Sequence, residues 1–302
     1  MRALVISGGG SKGAFAGGVA QYLIEEMKTQ YDIFVGSSSG SLLISHLALD
    51  NTEKIKKIFT SVNQHSIFSN CPFNVTQDKK LGKQIKINHF NVLKQLLSGR
   101  KTFGESLSLK KLITDSITKK EFETLKNSSK QVVVTVSNLS LNTVEYKSIK
   151  NFDYLEFCEW IWISCNYIPF MSLAKKGDFE YADGGFGLMV PVEEAICRGA
   201  KTVDVIVLDT EVSKIQQPPS KNVFSLLTNL HLYMTERISR QNIRIGKLVA
   251  IKNKVLLNFY YTPTGLTSNS LIFDSKEMTH WWQLGFDFAK NRNGHKNEIR
   301  PD

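Results

Sequence analysis

Three short stretches of this 302-residue sequence combine residue types that can do chemistry. Gly36-Ser37-Ser38-Ser39-Gly40 is a G-x-S-x-G pattern, in which flanking glycines permit a turn tight enough to present the central hydroxyl. Only Ser38 satisfies that register. Gly8-Gly9-Gly10-Ser11-Lys12-Gly13 follows a short apolar run and opens a helix, so its backbone N–H groups can converge on negative charge, helped by the helix dipole. Tyr181-Ala182-Asp183-Gly184-Gly185-Phe186-Gly187 sets a carboxylate beside two glycines, where a tight loop can hold it with little cover from neighbouring side chains. A serine hydroxyl needs a base to act as a nucleophile, and the oxyanion formed on attack needs hydrogen-bond donors. The glycine loop and the helix N-terminus after Ser38 can supply donors. Residue type alone leaves the base open: a Ser, acid, His order points to His231 or His280, both of which read as helix-face positions.

Two rival readings of the glycine loop run into spacing. It matches G-x-G-x-x-G, but a dinucleotide site wants an acid at the end of the second strand, and Asp32 stands before that strand. A Walker A reading needs G-x-x-x-x-G-K-[ST], which the sequence lacks.

The elements that must position these residues follow from hydrophobic patterning. Residues 3–6 predict a buried strand, 17–28 a helix with Val19, Tyr22, Leu23 and Met27 on one face, 32–35 a second strand, and 41–49 an apolar helix. Strand, turn, helix, repeated, predicts a parallel sheet with crossover helices. Residues 131–136 return to a strand with 142–146 as hairpin partner, and 202–208 form another. Residues 53–125 read as mainly helical and basic, with no strong strand, forming an insertion or lid. Pro218-Pro219 marks a break before an amphipathic helix over 225–246. The expected architecture is α/β, a mainly parallel central sheet flanked by helices in three α/β/α layers. Residues 1–210 form the core domain, and 211–302 a mainly helical extension packed on it.

Hydrophobic residues make up 42% and charged residues 22%, which argues against a disordered or membrane-embedded chain. No apolar run reaches the roughly 18 residues that span a bilayer. The formal charge of +10 favours anionic partners, yet no nucleic-acid motif accompanies it, so nucleic acid is not expected. Residues 79–101 hold Lys79, Lys80, Lys83, Lys86, Lys94, Arg100 and Lys101 among apolar residues and no acid. That mixture suits an interfacial helix pair on an anionic membrane, or else a solvated face over a core-packing helix. Cys71, Cys158, Cys165 and Cys197 lack metal-ligand spacing, so neither metal nor cofactor is implied. With no leader pattern, the expectation is a cytoplasmic protein in peripheral contact with membrane.

The glycine loop, the G-x-S-x-G and the Asp-Gly-Gly, in that order and each at a strand end, resemble the patatin-like phospholipase family. Ile163-Ser164-Cys165-Asn166-Tyr167-Ile168-Pro169-Phe170 looks like that family's Ser-x-x-x-x-Pro block, and Pro191-Val192-Glu193-Glu194-Ala195-Ile196 like its following helix. The resemblance covers residues 3–50 and 131–210. It implies a patatin-like catalytic domain in which Ser38 is the nucleophile and Asp183 its base, a Ser-Asp dyad without histidine. Gly8, Gly9, Gly10, Ser11, Lys12 and Gly13 would form the oxyanion loop, Gly36 and Gly40 the nucleophile elbow, Gly184 and Gly185 the Asp loop. The chain departs from the pattern at Gly187-Leu188-Met189-Val190, where the family has an Asn-containing approach to the proline. The implied activity is a lipid acyl hydrolase of the phospholipase A or lysophospholipase type, acting on phospholipid or another acyl ester. A lipid-binding regulatory protein without turnover and a Ser-His-Asp esterase are the alternatives. Trp160, Trp162, Phe170, Phe179 and Phe186 would line an acyl channel or pack an aromatic core, and the basic insertion leaves room for a protein activator.

Overall fold

A computed structural model describes residues 1–78, 82–212, 219–220, 222–267, 269–292 and 298–299. The first half alternates strand and helix as its patterning requires. β1 (Arg2–Ile6) leads through a 3₁₀ turn into α1 (Gly13–Gln21), and β2 (Ile33–Ser37) into α2 (Ser39–Ala48). Helices α3 (Thr52–Ser61) and α4 (Gln64–Ile67) precede a hairpin of β3 (Phe73–Asp78) and β4 (Gly82–Ile87); α5 (His89–Leu97), α6 (Leu107–Ser116) and α7 (Lys119–Asn127) follow. β5 (Gln131–Asn138), β6 (Thr143–Ser148), α8 (Tyr154–Ser164), β7 (Ala174–Lys176) and β8 (Phe179–Asp183) complete the middle. The rest comprises α9 (Val192–Cys197), β9 (Thr202–Val207), α10 (Val223–Asn253), β10 (Leu256–Tyr261), α11 (Ser275–Asn291) and β11 (Glu298–Ile299).

Among the described residues these strands form a nine-stranded sheet in the order β11-β10-β9-β1-β2-β5-β8-β7, with β6 on the far side of β5. The central pairs β10–β9, β9–β1, β1–β2 and β2–β5 are parallel, so the sheet is mainly parallel as the patterning predicts. Alternate residues of each strand enter different cores. Leu4 and Ile6 pack with Phe15 of α1, Leu43 of α2 and Trp282 of α11, whereas Ala3 and Val5 pack with Val192 of α9 and Ala250 of α10. Helices thus cover both faces of the sheet.

Three departures share one cause, a local signal with two meanings. The first helix begins at Gly13 rather than 17, because its glycines serve helix packing: a Cβ on Gly17 would lie 2.8 Å or closer to the Trp282 ring atoms, and one on Gly18 would strike the Trp282 carbonyl. Gly246 does not end α10, which runs on to Asn253, because a Cβ there would lie 2.9 Å from Val192 Cβ. Residues 53–125 contain a hairpin where no strand is expected. Its register pairs Phe73 with Ile87 and Val75 with Ile85, a short period-2 pattern interleaved with Asn74, Thr76, Gln84 and Lys86. Among the described residues, 82–101 of the basic stretch are therefore a strand followed by one helix, not a helix pair. Lys79, Lys80 and Pro218 lie outside the described residues.

Candidate active site

β5 brings the two chemical loops together. β2 runs parallel to it and ends with Ser37 opposite Thr135, while β8 runs antiparallel and ends with Asp183 opposite Val136. Because β6 already pairs with residues 133–138 on the other side, β2 and β8 share one edge of β5 and meet head to head. Ser38, the next residue after β2, therefore faces the last residue of β8.

Ser38 turns the chain sharply from β2 into α2, with φ 51° and ψ −124°, a conformation that L-residues rarely adopt outside over-determined sites. Small neighbours make the turn possible. A Cβ on Gly36 would lie 2.6 Å from the Gly40 carbonyl carbon, and one on Gly40 would strike the Ile6 carbonyl oxygen. Ser164 pins the elbow: its Oγ accepts from the Ser38 N–H at 3.0 Å and donates to the Thr135 carbonyl at 2.7 Å. Ser41 Oγ donates to the Gly36 carbonyl at 3.0 Å, and the Cys165 thiol to the Ser38 carbonyl.

Ser38 Oγ donates to Asp183 Oδ2 at 2.6 Å. The other carboxylate oxygen accepts from the Gly185 N–H at 2.7 Å, the Asp183 N–H donates to the Asn166 carbonyl, and Ser137 Oγ donates to the Asp183 carbonyl. Gly184 presses against β5, where a Cβ would strike the Thr135 carbonyl oxygen. The carboxylate is 2% exposed, and burial pushes its pKa up to about 7 although the hydrogen bonds from Ser38 and Gly185 pull the other way. A buried carboxyl titrating near neutrality, in contact with a serine hydroxyl, can take up and return a proton.

The glycine loop lies against this pair. The Gly8 N–H donates to the Met189 carbonyl and the Ser11 N–H to the Ser270 carbonyl, whereas the amides of Gly9 and Gly10 make no hydrogen bond among the described residues. Gly10 takes φ 56°, and a Cβ on Gly8 would lie 3.0 Å from Ser38 Cβ. Gly13 starts α1 against Phe59, and Lys12 turns aside to hold Asp209 Oδ1 at 2.7 Å. Asn242 of α10 holds the stretch Gly187-Leu188-Met189-Val190: its Oδ1 accepts from the N–H groups of Met189 and Val190. Nothing in the local sequence signals that long-range partner.

Gly8, Gly9, Gly10, Ser38 and Asp183 line one cavity, continued by Leu42, Phe59, Ile113, Phe170 and other apolar side chains. Of the five aromatics considered for an acyl channel, Phe170 alone lines it. Trp160 packs edge-on to Tyr181, Trp162 Nε1 donates to the Ser106 carbonyl, Phe186 stacks on Tyr167, and Phe179 is exposed. Neither histidine reaches the pair by a hydrogen bond. His231 Nδ1 lies 3.0 Å from the Leu227 carbonyl of its own helix, and His280 is exposed on α11. Among the described residues no three His, Cys, Asp or Glu side chains converge as metal ligands.

No curated protein matches the sequence. Among solved structures, VipD from Legionella pneumophila is similar over 99% of this chain and 68% of its own, with 15% identity and a TM-score of 0.49. A family model described as patatin-like phospholipase matches residues 4–196, which span the glycine loop, the G-x-S-x-G and the Asp-Gly-Gly. With well over half its length matched, the chain belongs to the patatin-like phospholipase family.

Proposed function

We propose that the protein is a serine acyl hydrolase that cleaves fatty acyl esters of phospholipids or lysophospholipids through an acyl-Ser38 intermediate. The observation that carries this reading is the 2.6 Å contact between Ser38 Oγ and Asp183 Oδ2 at one end of an apolar cavity. Asp183 accepts the Ser38 proton as Oγ attacks the ester carbonyl, then returns it to the departing alkoxide. Water, deprotonated by Asp183, next releases the fatty acid and restores the serine. The oxyanion of each step is met by the unengaged amides of Gly9 and Gly10 and by the first turn of α2. Gly8 and Ser11, whose amides are engaged, shape the loop.

A cytoplasmic enzyme in peripheral contact with anionic membranes fits the surface. α5 exposes Phe90 (76%) and Leu97 (80%) beside Lys86 and Lys94, and α10 exposes Val223 and Leu226. Phe224 bridges the two helices, with ring centroids 6.0 Å from His89 and 5.5 Å from Phe103. Among the described residues no helix is long and apolar enough to cross a membrane. Apolar side chains can enter the headgroup region while the lysines meet phosphates.

The test is fatty-acid release from mixed phospholipid vesicles and from a short-chain ester, with a chelator present. Wild type should turn over both, and Ser38→Ala and Asp183→Asn neither, with the fold intact. Activity surviving in Asp183→Asn would move the base to a histidine. An inactive wild type that still binds vesicles would favour a lipid-binding role.

A further inference from the structure

The cavity that holds Ser38 and Asp183 has a chemically mixed lining. Beyond the apolar wall of α2, α3 and α6, it is bounded by two ion pairs, Lys12 with Asp209 and Arg240 with Glu236. Lys12 Nζ lies 2.7 Å from Asp209 Oδ1, and Arg240 Nη2 lies 3.0 Å from Glu236 Oε1. The four side chains keep 16%, 36%, 36% and 35% exposure respectively, so none is sealed from a ligand. Thr210, Thr235 and Asn269 add polar groups to the same lining. Two cations and two anions in the lining of a largely apolar cavity are not needed to hold an acyl chain.

We propose that these two ion pairs form a headgroup subsite for a zwitterionic phosphodiester lipid, its phosphate taken by Lys12 and Arg240 and its ammonium by Asp209 and Glu236. The inference rests on the acyl-hydrolase reading and names the substrate class of that site. A purely anionic headgroup must displace an acid from its cation and leave that acid unpaired in a partly desolvated space. A ligand carrying both signs replaces both halves of the pairs, so no charge is stranded. A headgroup-free acylglycerol leaves the pairs as they are and gains nothing from them. The surface and the cavity thus prefer different lipids: the +10 chain is drawn to anionic bilayers, while the subsite selects zwitterionic molecules within them.

The two preferences separate in non-ionic detergent micelles, each carrying one lipid at a fixed low mole fraction: phosphatidylcholine, phosphatidylglycerol or diacylglycerol. Wild type should hydrolyse phosphatidylcholine with a kcat/KM about tenfold above the other two, as expected for one or two charge-assisted contacts. The double variant Asp209→Asn, Glu236→Gln leaves both cations unpaired. Its phosphatidylglycerol to phosphatidylcholine ratio should rise about tenfold, a shift in specificity that a merely structural role would not produce. Arg240→Gln should lower kcat/KM for phosphatidylcholine by more than it lowers that for a short-chain ester. Equal wild-type rates on the three lipids, or an unmoved ratio in the double variant, would overturn the subsite. Turnover of the short-chain ester without any selection among lipids would overturn it while leaving the hydrolase reading standing. Inactivity on every ester, short-chain included, would remove both.

Discussion

Ser38 Oγ and Asp183 Oδ2 lie 2.6 Å apart across 145 positions of sequence because their strands end against neighbouring residues of β5, Thr135 and Val136. The backbone register, not a flexible approach of two loops, sets their distance. Pre-set geometry of this kind spares the entropy of bringing a base to its nucleophile.

The buried Asp183 carboxyl, held at about 7, gives the proposed reaction a distinct pH profile. Below that value the carboxyl keeps its proton and cannot accept the one on Ser38. The limiting slope of kcat/KM should be about one decade per pH unit on the acid side, levelling above about 7. A chromogenic short-chain ester measured across the range checks it. A profile flat down to the ordinary carboxylate range would deny Asp183 the role of base.

The same burial predicts a stability effect of definite sign. Asp183 binds its proton more tightly folded than unfolded, so between its ordinary value near 3.8 and about 7 its contribution to stability falls as pH rises. The full difference is on the order of 4 kcal/mol. Asp183→Asn does not ionise, so its midpoint of urea unfolding should gain on wild type as pH rises from about 5 to 8. A constant difference would show that burying the carboxylate is not the cost argued here.

Ser164 stands behind the elbow with no contact to Asp183 among its hydrogen bonds. Ser164→Ala strands the Ser38 N–H and the Thr135 carbonyl, and should cost about 1–3 kcal/mol of stability. The loosened elbow should lower kcat more than it raises KM, in contrast to a wall residue of the cavity. Chemical denaturation and steady-state kinetics on one preparation check both halves.

Peripheral binding should need both the exposed apolar face and the charge around it. Leu97→Asp should weaken binding to vesicles rich in anionic lipid by about tenfold or more, because a carboxylate replaces an inserting side chain. Raising salt from about 50 to 500 mM should weaken wild-type binding. Co-sedimentation with sucrose-loaded vesicles reports both effects, and salt-insensitive binding would contradict the electrostatic part.

The strands and helices around Ser38 were legible because glycine spacing and short apolar runs are local signals. The same residues misled where glycine served packing: Gly17 and Gly18 lie inside α1 against Trp282, and Gly246 inside α10 against Val192. The β3–β4 hairpin was hidden because its alternation is short, two apolar residues on each strand, with Asn74, Thr76, Gln84 and Lys86 on the other face. Which amides of the glycine loop are free, the support from Ser164 and the hydrogen bonds from Met189 and Val190 to Asn242 all depend on partners far along the chain. Spacing within a motif carries no information about them.

The central claim, that Ser38 is a nucleophile activated by Asp183, is tested most directly by covalent trapping. The protein is incubated with a long-chain alkyl fluorophosphonate, which transfers its phosphonyl group to a nucleophilic Oγ with loss of fluoride, and the adduct is mapped by peptide mass spectrometry. The account predicts one adduct, on Ser38, forming in wild type, abolished in Ser38→Ala and at least about a hundredfold slower in Asp183→Asn. An adduct on another residue, or Ser38 labelled equally fast without the Asp183 carboxylate, would contradict it.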